Sequence, residues 1–283
     1  MHFYPAGESV CHELLELPQE NVEWIITDAT VADIVAAGFQ RQRKDATCFI
    51  HPESGDLYQL ARRQYLDEAS GRLCYQSGDS VVLEDELATR VLTILAMAKD
   101  GDDIIDPFGG REDLAEGVLR HVTPHFSHVP VNLLAVAVWA ARLSGWGFRI
   151  AHGAHALMKA MVTNGVVEKI RPREIAEAVL QAMESPRPSV FFRVLHRCGA
   201  LRSISNALDD LFADTAQANG HKKHLTEERM PHAMRTIDRV AAKTGNVSSL
   251  IKQFYEILGD KAEGIFNSLG LSTLLDEPGH NNC

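Results

Sequence analysis

The sequence predicts an α+β fold in which a mixed head precedes an all-helical body. Short β-rich runs alternate with helical ones in the first part, whereas from Asn132 onward the β-rich runs almost disappear and helical periodicity takes over. A chain of 283 residues, 45% hydrophobic and 23% charged, is long and apolar enough to bury the core that both parts need.

The elements follow in order. Val22 to Ile26 is a compact apolar run around Trp24 and reads as a buried strand. Thr30 to Gly38 reads as a helix, with Thr30 as its cap and the glycine as its stop. Thr47 to Ile50 and Leu57 to Ala61 form a hairpin across His51 to Asp56, a stretch rich in turn-forming residues. In the second half, Leu133 to Leu143, His155 to Thr163, Arg173 to Met183 and Val190 to Arg197 carry apolar residues at helical spacing. Pro172, Pro186 and Pro188 fall at helix starts and in loops, where proline is tolerated. The polar stretch Ala216 to Glu228 reads as an exposed linker, followed by helices near Pro231 to Lys243 and Leu250 to Leu258, and Gly279 to Cys283 reads as a frayed end.

Charge and cysteine usage narrow the function classes. With 38 acidic against 28 basic residues the net charge is −10, which disfavours indiscriminate nucleic-acid binding yet leaves room for a local basic face. Cys11, Cys48, Cys74, Cys198 and Cys283 are odd in number and lack CxxC spacing, so neither a disulfide framework nor a zinc site is expected. No basic segment leads into an apolar run at the N-terminus, and no stretch approaches 18 uncharged apolar residues. A cytoplasmic protein without a membrane partner is expected.

Three segments carry a specific resemblance: Asp106-Pro107-Phe108-Gly109-Gly110, Val118-Leu119-Arg120-His121-Val122, and Ser185-Pro186-Arg187-Pro188-Ser189-Val190-Phe191-Phe192. Together they resemble the class II tRNA nucleotidyltransferases, the CCA-adding enzymes of bacteria, over residues 1 to 258 and most strongly from Val81 to Leu201. The resemblance implies a nucleotidyltransferase (polymerase-beta-like) head with a mixed sheet over residues 1–125, a helical neck and body over 126–213, and a shortened remnant of an HD phosphohydrolase region over 214–283.

The same resemblance marks where chemistry is missing. The family holds Mg²⁺ on two carboxylates two residues apart on a strand, which points both to one face. Leu17-Pro18 and Trp24 place Asn21 and Glu23 at those positions, so one charge is gone. The family's Gly-Gly phosphate turn becomes Gly7-Glu8, and the arginine that pairs with the triphosphate becomes Cys11. Its Arg-Arg-Asp run survives as Thr89-Arg90-Val91, leaving Arg90 as the remaining polar contact. The base-reading Asp and Arg become Val129 and Asn132, Ala135 and Val138 stand where arginines are usual, and the Arg-Val-Trp neck motif becomes Glu174-Ile175-Ala176. Degenerate nucleotide contacts therefore remain at Gly7, Arg90 and Asn132, with no complete catalytic set.

A binding role follows: a pseudoenzyme acting on tRNA or other structured RNA, or on a protein partner, with no cofactor. Lys169, Arg171 and Arg173 are the expected RNA-backbone contacts. The remaining basic clusters, Arg62-Arg63 among them, are expected on solvated faces. Glu23, His224 and His232 are the weak metal candidates, the two histidines being spaced like HD-domain ligands whose His-Asp pair here is Glu256-Ile257. His125, His128, His152 and His155 read mostly as surface histidines. The alternative is an active CCA-adding-type enzyme with a rebuilt metal site, which would need Mg²⁺ with ATP or CTP. On the pseudoenzyme reading, Glu23 is expendable for stability whereas Phe191 and Phe192 are core residues.

Overall fold

The computed structural model describes residues 1–18, 22–42, 47–217, 231–244 and 246–272. Asn21, His224, most of the expected linker and the expected frayed end lie outside them. The mixture of sheet and helices is the predicted α+β class, and the chain divides into two compact units, residues 1–129 and 130–283.

The first unit contains, in order, β1 (His2–Pro5), α1 (Glu8–Leu14), β2 (Glu23–Thr27), α2 (Val31–Ala36), β3 (Gln40–Arg41), β4 (Cys48–Ile50), β5 (Leu57–Leu60), β6 (Arg62–Asp67), β7 (Arg72–Ser77), α3 (Leu83–Leu87), β8 (Ala98–Asp100), β9 (Asp103–Ile105), α4 (Gly110–Glu116) and β10 (Val118–Leu119). Five strands form one mixed sheet in the order β1-β2-β5-β4-β3. β2 lies parallel to β5, with Glu23 opposite Leu57 and Trp24 opposite Tyr58, while β1 and β4 run antiparallel to their neighbours. The period of two decides which core each residue joins. Ile25 packs with Ala6, Leu83, Leu87 and Ala98, and Ile26 with Ile34, Phe49 and Leu60 on the other face.

Local chemistry sets the element ends. Thr30 caps α2 by accepting from the Asp33 N–H, and the Asp33 carboxylate accepts in return from the Thr30 N–H, a reciprocal box that satisfies two otherwise orphaned donors. At α4 the Asp106 carboxylate accepts from the N–H groups of Gly110 and Arg111 at 2.7 and 2.9 Å. Gly110 has a packing reason as well: a Cβ there would stand 2.3 Å from the Thr93 carbonyl oxygen. Thr93 donates its hydroxyl to Asp113, which also takes a bidentate pair from Arg120. The Asp-Pro-Phe-Gly-Gly and Val-Leu-Arg-His-Val segments are thus tied to each other through Thr93 and Asp113.

The second unit contains α5 (Asn132–Arg142), β11 (Arg149–Ile150), α6 (His152–Thr163), α7 (Pro172–Met183), α8 (Ser189–Cys198), α9 (Ala200–Ile204), α10 (Asn206–Gln217), α11 (His232–Thr244), α12 (Val247–Leu258) and α13 (Ala262–Ser268). Ala216 and Gln217, expected in a linker, close α10. α5 is buried nearly all round, from Leu133 to Ala141, and packs on α7 and α8. Val138, where the family carries an arginine, is 3% exposed and belongs to this core.

Phe191 and Phe192 have no exposed surface, and Phe192 continues a run of ring contacts through Phe254 at 5.6 Å to Phe266 at 5.8 Å from Phe254. Ser189 donates its N–H and hydroxyl to Asp238, fastening α8 to α11. Truncating Phe192 to alanine removes a link in that run, and urea unfolding of Phe192→Ala will show a loss of ~3–5 kcal/mol against wild type.

Candidate functional site

Gly7 sits in the left-handed region at φ 67°, just before α1, and donates its N–H to the Met97 carbonyl at 2.9 Å. Only glycine fits, because a Cβ would come within 2.4 Å of the Glu23 carboxylate. Glu23 opens β2, its N–H donating to the Ser9 hydroxyl at 2.8 Å. Its carboxylate accepts from Nη1 of Arg90, which follows α3. Gly7, Glu23 and Arg90, three of the residues singled out from sequence, therefore touch in the first unit.

Behind Arg90 stands a residue that sequence reasoning missed. Glu86 on α3 has no exposed surface. Its carboxylate accepts from the Arg62 N–H at 2.8 Å and from Nε and Nη2 of the same arginine at 3.1 Å each. Arg90 Nη2 lies 3.5 Å away, close enough for charge attraction though not placed as a hydrogen bond. Burial alone pulls the Arg90 pKa down, but the charges of Glu23 and Glu86 outweigh it and hold the guanidinium firmly protonated. The result is an alternating line, Glu23, Arg90, Glu86, Arg62, whose charges cancel. Arg62 is accordingly a partner of a buried acid and not the solvated charge expected from sequence. Neighbouring Arg63 pairs with Asp85.

That line limits what the site can do. Mg²⁺ requires several hard, charged oxygens. Glu23 is already engaged by Arg90, and among the described residues no group of three His, Cys, Asp or Glu side chains could hold a metal ion. The described residues of this site do not fit Mg²⁺. On the phosphate side, Glu8 opens α1 and lies 3.4 Å from His12. The Cys11 thiol is buried and pushed up to about 12 by that burial and then by Glu8, so it supplies neither a thiolate nor a cation. Leu95, five residues after Arg90, is buried as well.

The remaining candidates are dispersed. Asn132 is the first residue of α5 in the second unit, and Val129 ends the 3-10 turn Pro124–His128 in the first. His232 is exposed at the start of α11. Lys169 ends a 3-10 turn and Arg171 precedes α7. Arg171 donates to Glu174 and Arg173 to Glu177, through exposed side chains except for the half-buried Glu174. Glu174, the charge reversal in the neck motif, has acquired a local job: it also accepts from the Arg171 N–H and so caps α7, and these bonds hold its carboxyl below the usual range.

The structure closely follows solved CCA-adding enzymes. No protein-family model matches the chain. An apo form of a CCA-adding enzyme matches with a TM-score of 0.64 and 20% identity, covering 96% of this chain and 65% of that one. The Bacillus stearothermophilus CCA-adding enzyme in complex with CTP matches with a TM-score of 0.58 and 16% identity over 98% of this chain and 74% of that one. The Thermotoga maritima CCA-adding enzyme complexed with tRNA matches with a TM-score of 0.58 and 17% identity over 96% of this chain and 63% of that one. The fold is that of the class II tRNA nucleotidyltransferases, and the chain spans just under two thirds of the length of two of these enzymes.

Two consequences are measurable. Removing Glu86 strands two arginines in or beside the core, so Glu86→Ala will cost about 3–5 kcal/mol in equilibrium unfolding. Glu23→Ala, expected from sequence to be nearly silent, will instead cost about 1.5–3 kcal/mol through the loss of its bond to buried Arg90, and a cycle with Arg90→Met will show coupling. His121 offers a pH test. Burial and then Arg120 hold its pKa below 6.5, so the unfolded chain takes up a proton that the native one refuses. Stability is therefore greatest above pH 6.5 and declines below it, and the fall in Tm between pH 7.5 and 5.5 will be smaller in His121→Leu.

Proposed function

We propose that this chain is a tRNA nucleotidyltransferase-like protein that does not transfer nucleotides and acts by binding structured RNA such as tRNA. One observation carries the reading: Glu23, the carboxylate left at the metal positions, is committed to Arg90, the cation left at the triphosphate positions. A site whose remaining acid and base neutralise each other offers neither a cation ligand nor a phosphate clamp. Val129, standing where the family reads bases with an acid, offers a nucleobase no hydrogen bond in return for its lost water.

RNA as the partner class is supported by the fold, since one enzyme of this architecture is known in complex with tRNA. The segment Glu168 to Glu177 holds three bases and three acids, so its long-range attraction is weak. Its ion pairs are exposed, and such pairs contribute only ~0–1 kcal/mol, so a phosphate can displace them. Backbone contact through Lys169, Arg171 and Arg173 therefore remains open.

The test separates binding from chemistry. The pure chain is incubated with Mg²⁺, labelled CTP or ATP and tRNA lacking its 3′ end, with incorporation and mobility shift read in parallel. No incorporation is expected, and Asn21→Asp alone will not restore it; Glu23-dependent addition of CMP or AMP would overturn the reading in favour of an active enzyme with a rebuilt site. A tRNA shift is expected that weakens steeply with salt. Changing Lys169, Arg171 and Arg173 together to alanine will lower that affinity across sequences and flatten the salt dependence. Absence of any shift at low salt assigns the binding role to a protein partner instead.

A further inference from the structure

A cavity of about 490 Å³ lies within the second unit. Helix geometry builds it. Val190, Arg193, Val194 and Arg197 fall at i, i+3, i+4 and i+7 on α8, one continuous stripe, and His152 with His155 are likewise three apart on α6. Arg149 on β11 completes the polar lining, and among the described residues no acidic side chain contributes to it. Phe148 joins Val190 and Val194 as apolar wall.

Five protonatable or cationic groups thus converge in a chain whose net charge is −10. Their crowding is felt. Burial lowers the Arg193 pKa, and Arg187 and Arg197 lower it further against the single opposing acid, Asp238. Asp238 is itself occupied by the N–H and hydroxyl of Ser189. His155 is depressed by burial and then by Lys159, Arg197 and His152, against a backbone hydrogen bond at Arg197 that raises it. A folded state that gathers like charges is under electrostatic load, which an anion in the cavity would relieve.

We infer that this cavity is a binding site for a small organic phosphate, its phosphate held by Arg193 and Arg197 with His155, and its apolar part against Phe148 and the α8 valines. Arginines four apart on one helix face stand side by side, and their planar forks match phosphate oxygens in pairs. A doubly charged group balances such a cluster better than one carboxylate does. The volume falls within the ~300–1,000 Å³ range of small-ligand pockets. The assignment does not depend on whether the chain binds RNA, although an RNA backbone shares the same phosphate chemistry and is separated by the test.

Isothermal titration of the full chain with phenyl phosphate and with inorganic phosphate checks it, beside a tRNA mobility shift. Saturable one-site binding is expected, tighter for phenyl phosphate than for inorganic phosphate. It should weaken about tenfold or more in Arg197→Met and in Arg193→Met, the loss of one charge-assisted pair, and stay unchanged in the Arg171→Ala/Arg173→Ala variant. Arg197 is exposed, so Arg197→Glu provides a folded charge reversal if Arg193→Met unfolds. Phenyl phosphate that does not bind at millimolar concentration, or binds Arg197→Met and Arg197→Glu as well as wild type, overturns the assignment. A tRNA shift lost in Arg197→Met without any phenyl phosphate binding also overturns it, because the phosphate then belongs to a nucleic-acid backbone.

Discussion

A carboxylate with no exposed surface must be matched by positive charge, and in the first unit that requirement falls on Glu86. Arg62 answers it from the start of β6 with its backbone N–H and the Nε–Nη2 edge of its guanidinium, and Arg90 answers it from the turn after α3. The second arginine then exceeds what one acid can neutralise, and Glu23 on β2 takes up its free end. Three strands and helices that are far apart in sequence are fixed to one another by this demand. Gly7 is part of the same arrangement, since its missing Cβ leaves the room that the Glu23 carboxylate occupies.

On the proposed reading, this network is the physical means by which charged side chains at the site serve structure. Where the fold's enzymes are expected to aim acid at metal and base at triphosphate, this chain aims the acid at the base. The neighbouring changes agree with it: Cys11 and Leu95 are buried, and Val138 fills the core beside α7 and α8. Glu174 likewise works as a helix cap. Cys11, Leu95, Val138 and Glu174 thus serve packing or local satisfaction, and the segments that kept the family pattern, such as Asp106 to Gly110 and Ser185 to Phe192, hold elements together.

Features were legible in the sequence where their cause is local. The Thr30 and Asp33 box, the helices with a regular apolar stripe and the Thr47 to Ala61 hairpin all depend on residues within one or two turns of each other. α1 was not legible because seven residues carry too little periodicity, and β6 with β7 was not because both strands show mostly exposed or half-exposed side chains, without the alternation that marks a buried face. At the site, motif spacing picked out Gly7, Glu23 and Arg90 but said nothing of their contact, which spans 67 residues between Glu23 and Arg90. Glu86, between Asp85 and Leu87, looks like an ordinary surface acid until Arg62, 24 residues earlier, is placed against it. The cationic cavity escaped notice for the same reason, its α6 and α8 stripes each being unremarkable alone.

The ring contacts from Phe192 through Phe254 to Phe266 also bear on how the chain is made. Synthesis runs from the N-terminus, so Phe192 leaves the ribosome 62 residues before Phe254, the first of the later rings that cover it. Until Phe254 and Phe266 emerge, Phe192 has no aromatic neighbours from the later helices and its face of α8 stays open to water or to a chaperone. The second unit therefore completes its core late, after translation has passed α13, whereas residues 1–129 already contain every partner of Glu86 and can close first.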